Sequence, residues 1–293
     1  MTRRSALLGA LVVLAMTALA GCAATPGVVS STRPTTVDAP LTLASQPATD
    51  EALIGWPGAA GQIVRCSGPV VGTTRGAPYG GEDVGTTPDA ALEAGRSWFS
   101  WDGAQNGFSF VKEADDRRLY VLDVDGLVKQ ALILRHGPAL RGDGTRDTVT
   151  RWWLESWARC DYAELPDEVA RERGLQLWTD ADGRRQPTST LVSFDFRGDC
   201  FPGTTALDVD GPVVGGSGED APVEYVRAPH PDLRSYFADS YVEHTAVPGD
   251  AIDSGYSRAG DRLWFAEDRR FAYIGSEDDA EAWPRSSQPI RCA

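Results

Sequence analysis

The sequence predicts an α+β fold in which antiparallel hairpins form one or two sheets, with a few short helices beside them and disulfides stapling the whole. Three observations lead there. Short apolar runs rich in Val, Leu, Ile, Trp and Phe alternate with Asp-Gly and other Gly-containing breaks, the pattern of strands joined by tight turns. Helical periodicity is confined to a few brief stretches. Four cysteines lie beyond residue 60, an even set that reads as two bridges.

Taken in order, residues 67–88 carry many Gly, Pro and Thr and predict loops with short extended pieces. Thr87-Pro88-Asp89 is a helix start with proline in the first turn, and Ala91, Leu92, Gly95, Trp98 and Phe99 follow at helical spacing. Residues 107–113 alternate as a strand. The runs Leu119 to Leu122 and Leu127 to Leu134 flank Asp123-Val124-Asp125-Gly126, a hairpin signal. Thr148 to Ala158 predicts a long strand leading into Cys160, with Trp153 and Trp157 on one face and Trp152 on the other. Leu165 to Arg173, with Pro166 near its start and Gly174 after it, predicts a short helix. Leu175 to Trp178 and Thr190 to Phe196 are strands around the turn Asp180-Ala181-Asp182-Gly183. Pro231 to Phe237 predicts one or two helical turns. Arg262 to Phe265 and Arg270 to Ile274 form another hairpin, and Glu277 to Trp283 a last turn of helix.

The N-terminus has a different texture. Met1-Thr2-Arg3-Arg4 is a basic head, and Ser5 to Ala18 is an uncharged run too short for a membrane span of about 20 apolar residues. It closes on Leu19-Ala20-Gly21-Cys22, which resembles the lipobox of bacterial lipoproteins. The resemblance implies that Cys22 carries a diacylglyceryl thioether and becomes the mature N-terminus, with Leu19, Ala20 and Gly21 as the recognition residues before the cut. Two buried acyl chains, at about 0.8 kcal/mol per methylene, hold firmly where one does not. The expected organisation is a signal peptide over 1–21, a flexible Ala-, Thr-, Ser- and Pro-rich tether over 22–55, and a globular domain over 56–293, with a division into two subdomains near residue 160 left open. Arg3-Arg4 leaves the choice between general and twin-arginine export open.

Removing the leader lowers Lys plus Arg from 28 to 26 against 42 Asp plus Glu, a net charge of −16. That surface excludes nucleic acid as a partner and a polybasic grip on anionic lipid. Membrane contact is therefore expected through the N-terminal lipid, on the extracytoplasmic face. Of Cys66, Cys160, Cys200 and Cys292, the expected pairs are Cys160–Cys200, nearest in sequence, and Cys66–Cys292, tying the ends together. A zinc site is not expected, because no C-x-x-C spacing or nearby Cys/His pair occurs.

No stretch of the chain completes a motif that carries chemistry. The Asp pairs 123/125, 180/182 and 208/210 each precede a Gly, too early for a calcium loop with Gly at position 6, so they read as turns. Ser109-Phe110-Val111-Lys112 matches S-x-x-K, but in a strand residues i and i+3 face opposite ways. Gly215-Gly216-Ser217-Gly218-Glu219 ends in Glu where G-x-S-x-G needs Gly. His136, His230 and His244 show no metal-binding spacing and read as surface or turn residues. The acidic clusters Glu82-Asp83, Asp115-Asp116, Glu219-Asp220 and Glu277-Asp278-Asp279 read as solvated charge. The three tryptophans 152, 153 and 157 suit a core more than a stacking platform. No residue is assigned a catalytic role, and no metal or cofactor is expected.

The stretches Glu155 to Asp161, Trp178 to Arg184 and Asp250 to Trp283 resemble segments of uncharacterised exported proteins from actinobacteria, over most of residues 95–293. That resemblance implies a shared fold without an activity. The expectation is a lipid-anchored extracytoplasmic lipoprotein, a non-catalytic module that binds an envelope ligand or protein. An envelope hydrolase acting on glycans or peptides through acidic residues is the alternative, and a structural stalk domain a third reading.

Overall fold

A computed structural model of the chain describes residues 36–43, 55–75, 84–95, 108–140, 146–196, 201–210 and 223–290. The first sheet contains β1 (Val71–Thr74), β2 (Val84–Gly85), β3 (Ser109–Ala114), β4 (Arg117–Val124), β5 (Leu127–Leu140) and β6 (Arg146–Arg159). Its order is β1-β6-β5-β4-β3, with β2 also paired to β6. The second sheet runs β10-β9-β8-β7, from β7 (Leu175–Leu177), β8 (Leu191–Asp195), β9 (Thr205–Val209) and β10 (Val223–Arg227). The third runs β11-β15-β14-β13-β12, from β11 (Val242–Thr245), β12 (Ile252–Arg258), β13 (Asp261–Phe265), β14 (Phe271–Gly275) and β15 (Ala280–Pro284). Every pairing within these sheets is antiparallel.

The helices are α1 (Gly58–Ile63), α2 (Pro88–Ala94) and α3 (Asp167–Glu172), with 3-10 segments at Tyr162–Glu164 and Pro231–Tyr236. None exceeds seven residues. The fold is therefore mainly antiparallel β, in three sheets where one or two were expected. Glu277 to Trp283 is the correction among the elements: its second half is strand β15, paired on both edges, because Ala280, Ala282 and Trp283 bury in a sheet.

The turns follow their chemistry. Asp125 and Gly126 both take positive φ, 54° and 81°, and join β4 to β5 in a two-residue hairpin. Thr87 caps α2 by accepting a hydrogen bond from Ala90 N. His230 caps the 3-10 segment at 231–236, as its place in the sequence suggests.

The first sheet is covered on both faces. Tyr120, Leu132, Leu134, Leu154 and Trp157 pack on one side with Ala91 of α2 and Val169 and Ala170 of α3. Leu119, Val121, Ala131, Ile133 and Ala158 pack on the other with Ala59, Ala60 and Ile63 of α1. Leu41 is buried in this second layer, and Lys112 donates to Ala39 O, so residues 36–43 lie on the sheet. This corrects the expectation that the tether runs free to residue 55: Val37, Leu41 and Leu43 are apolar enough to bury. The second and third sheets share one core of Trp178, Leu191, Leu207 and Tyr225 against Leu263, Phe265, Ile274 and Trp283.

Strand β6 carries a bulge at Glu155, where the β5–β6 register moves from Ile133↔Ser156 to Leu134↔Leu154. The extra residue reverses the alternation beyond it. Trp157 therefore joins Trp152 on the α2/α3 face, and Trp153 takes the other, contrary to strict alternation. The Glu155 carboxylate is buried and receives Arg117 at 2.5 and 2.7 Å and Arg135 at 3.4 Å; Asp116 bonds the same two arginines.

The disulfide also departs from expectation. Cys66 bonds Cys160 with Cα atoms 5.1 Å apart, which excludes both Cys160–Cys200 and Cys66–Cys292. The sheet decides this. Arg65 N donates to Val128 O and Cys160 N to Lys129 O, so the chain after α1 and the end of β6 flank the start of β5. Cys200 and Cys292 lie outside the described residues. Beside the bridge, the Glu164 carboxylate accepts from Ser67 N, Gly68 N and Lys129 Nζ at 2.8–3.0 Å. Burial works against its ionisation, but these donors outweigh it and hold the carboxyl below the ordinary glutamate range.

Replacing Cys66 and Cys160 together by Ser opens a loop with a sequence separation of 94, and in the chain-entropy model urea unfolding should show a loss of about 4–5 kcal/mol. Non-reducing digestion should yield the Cys66–Cys160 peptide. Because Glu164 has a depressed pKa in the fold, its contribution is present above the unfolded glutamate value and lost as pH falls through the folded one. Glu164→Gln should therefore flatten the acid limb of a stability–pH curve and leave its alkaline limb alone.

Candidate functional site

A cleft of about 280 Å³ opens where the second and third sheets meet. The two sheets are held together there by an isolated bridge between Thr179 and Ser257, and by another between Tyr225 and Arg285. Thr205 and Arg227 reach the cleft from β9 and β10. Glu243 and His244 come from β11, Arg258 from the end of β12, and Asp261 from the start of β13. Asp279 and Glu281 complete it from the β14–β15 turn and β15. The floor needs a glycine. Gly275 sits at φ 145°, and a Cβ there would lie 2.6 Å from Asp279 O.

The charges in the cleft are not equivalent. Arg227 grips Glu281 through two nitrogens at 2.6–3.1 Å, and the Trp283 indole donates to the same carboxylate at 2.8 Å. That pair is a finished unit. His244 Nδ1 meets Asp279 Oδ1 at 2.9 Å. Arg258 differs: it forms no ion pair among the described residues. Its guanidinium lies 4.8 Å from the Trp178 ring centroid and donates to the neutral side chain of Gln176. Burial pushes Arg258 below the usual guanidinium range, against the pull of Asp261, Asp195 and Glu281. A half-buried cation so placed, answered by an amide and a ring, is suited to accept a carboxylate. The acids around it suit an ammonium or hydroxyl on the same ligand.

A second depression of about 520 Å³ follows residues 228–241. Its one acid, Asp239, is bound by Arg270. It offers a ligand no buried charge, so the smaller cleft is the candidate.

The residues singled out in the sequence fall elsewhere. Leu19, Ala20, Gly21 and Cys22 lie outside the described residues, as do Cys200, Cys292, Glu82-Asp83 and the loop Gly215 to Asp220. Asp123 accepts from Gly126 N, and Asp180 from Asp182 N and Arg184 N, so these carboxylates close their own turns. Cys66, Cys160 and Glu164 cluster, but both sulfurs are in the disulfide and offer no thiolate. A bulge between Phe110 and Lys112 sets Ser109 and Lys112 opposite Val121 and Leu119, on one face, which corrects the expectation of opposite faces. The Lys112 ammonium nonetheless goes to Ala39 O. His136 is exposed and stacks on Trp152 at 4.9 Å. Glu277 pairs with Arg262.

Sequence reasoning missed Arg227 and Arg258 because β10 and β12 were not recognised as strands. For β12 a signal exists: Ala259-Gly260 between Tyr256-Ser257-Arg258 and Leu263-Trp264-Phe265, both turn residues at positive φ. Compared with protein-family models, with curated proteins and with solved structures, the chain matches none.

The hydrogen bond to Asp279, with that residue's charge, raises the pKa of His244 above an ordinary histidine. Protonated His244 therefore ties β11 to the β14–β15 turn, and the tie is lost as pH rises through its raised pKa. An NMR titration of the imidazole should show the proton retained to higher pH than in the unfolded chain. Asp279→Asn should remove most of the difference, since Glu243 and Glu281 act on the imidazole less strongly.

Proposed function

We propose that this chain is a lipid-anchored extracytoplasmic binding module, moored through Cys22, whose cleft between the second and third sheets takes a small zwitterionic ligand. The ligand's carboxylate sits on Arg258, and its ammonium or amide end meets Asp261 and Glu243. Arg258 carries this reading: a half-buried cation that forms no ion pair among the described residues, in an acidic protein, leaves its charge for something that arrives. The lipobox-like segment and the disulfide support the address, since disulfides persist outside the cytoplasm. Among the described residues no helix is long and apolar enough to cross a membrane. Glu281 and Asp279 are engaged by Arg227 and His244, so the cleft supports ligand capture better than hydrolysis by a pair of acids.

Calorimetric titration of the mature protein with free amino acids and dipeptides, and with their amidated and N-acetylated forms, tests the cleft. Free forms should bind, and amidation of the carboxylate should weaken binding about tenfold or more. Arg258→Gln should do the same without changing the circular dichroism spectrum. Equal binding of free and amidated probes would remove Arg258 from the reading. Separately, Cys22→Ser should abolish lipid labelling and release the protein from membranes; unchanged retention would sink the anchor and leave the cleft untouched.

A further inference from the structure

The α2/α3-covered face of the first sheet buries a set of polar side-chain atoms without a hydrogen-bond partner among the described residues. Gln130 is fully buried, and neither Nε2 nor Oε1 has a partner. Opposite it in the β5–β6 register stands Arg159, 5% exposed. Its Nη1 donates to Cys160 O at 3.2 Å and its guanidinium lies 3.8 Å from the Tyr162 ring centroid, while Nε has no partner. Two residues back on β6, the indole nitrogen of Trp157 is buried without an acceptor. At the end of α3, Arg173 turns Nε and Nη2 inward, and both are buried and unbonded. Neither arginine forms an ion pair among the described residues. The near carboxylate, Asp161, is committed: its oxygens accept from Thr188 N, Thr188 Oγ1 and Ala163 N.

We propose that this interior is a binding site for one hydrogen phosphate ion, held between Arg173, Arg159, Gln130 and Trp157. Burial is the chief force pressing Arg159 below the usual guanidinium range, and the charge of Arg173 adds to it; an anion relieves both. The open Nε/Nη2 edge of Arg173 is the fork that takes two oxygens of an oxyanion side by side. Nε of Arg159, Nε2 of Gln130 and the Trp157 indole supply further donors. Gln130 Oε1 decides among anions, because it needs a donor. Hydrogen phosphate brings a P–OH; sulfate, acetate and chloride bring none at neutral pH. The amino-acid cleft shares no residue with this cluster, so the two readings stand or fall separately.

The test uses the full mature chain, dialysed free of phosphate. Equilibrium dialysis with radiolabelled inorganic phosphate should show one ion per chain. The thermal midpoint should rise saturably with phosphate and at least tenfold less sensitively with sulfate, acetate or chloride at matched ionic strength. Arg173→Gln and Gln130→Leu should each weaken phosphate uptake tenfold or more. No stoichiometric uptake by the unaltered protein would overturn the proposal whether or not the variants fold. Equal midpoint shifts from all four anions would overturn it too, as a general salt effect.

Discussion

Glu155 is the residue on which the first half of the molecule turns. As the extra residue of a bulge it changes which tryptophans enter which face of the longest strand pair, and its buried carboxylate is what Arg117 and Arg135 close upon. A bulged residue with an apolar side chain would leave Arg117 and Arg135, paired across adjacent strands, with Asp116 alone to share between them. Backbone geometry and electrostatics are thus solved by the same side chain. Beyond the bulge, β6 delivers Trp157 and Arg159 to the α3 face and Cys160 to the bridge with Cys66. The placement of all three depends on a shift of one residue.

The protein is strongly acidic, yet its informative charges are positive. Surface arginines such as Arg227, Arg262 and Arg270 meet carboxylates, as an excess of acid makes easy. Among the described residues, Arg258, Arg159 and Arg173 form no such pair. In a chain with 42 acidic residues, an arginine without an acid is a matter of placement rather than supply. Arg258 lies against the Trp178 ring and donates to Gln176, and Arg159 lies against the Tyr162 ring, surroundings that lower the cost of burial without cancelling the charge. The cleft and the interior of the first sheet share no residue, yet in each an arginine is answered by neutral groups: Trp178 and Gln176 at Arg258, Tyr162 and the Cys160 carbonyl at Arg159.

Much of the local structure could be read from the chain. The Asp-Gly hairpin at 125–126, the Thr87 cap, the helix ended by Gly174 and the β13–β14 hairpin each rest on chemistry acting over a few residues. The failures share a cause as well. Glu277 to Trp283 was expected to turn as a helix, but Ala280, Ala282 and Trp283 bury between β11 and β14, and sheet pairing overrides a weak local preference. The alternation of 152, 153 and 157 failed at a bulge, which no residue type announces.

What the sequence determined by itself is therefore the short-range part: hairpin turns, helix starts and stops, the β-rich character, the net charge, and the lipobox-like segment from which the anchor is inferred. These depend on dihedral preferences and neighbouring side chains. Tertiary structure alone decided that three sheets form, that Cys66 finds Cys160, that residues 36–43 lie on the first sheet, and that buried Arg159 and half-buried Arg258 and Arg173 form no ion pair among the described residues. Those outcomes depend on which strands lie side by side, and strand pairing joins residues far apart in the chain, where local chemistry carries no record of the partner.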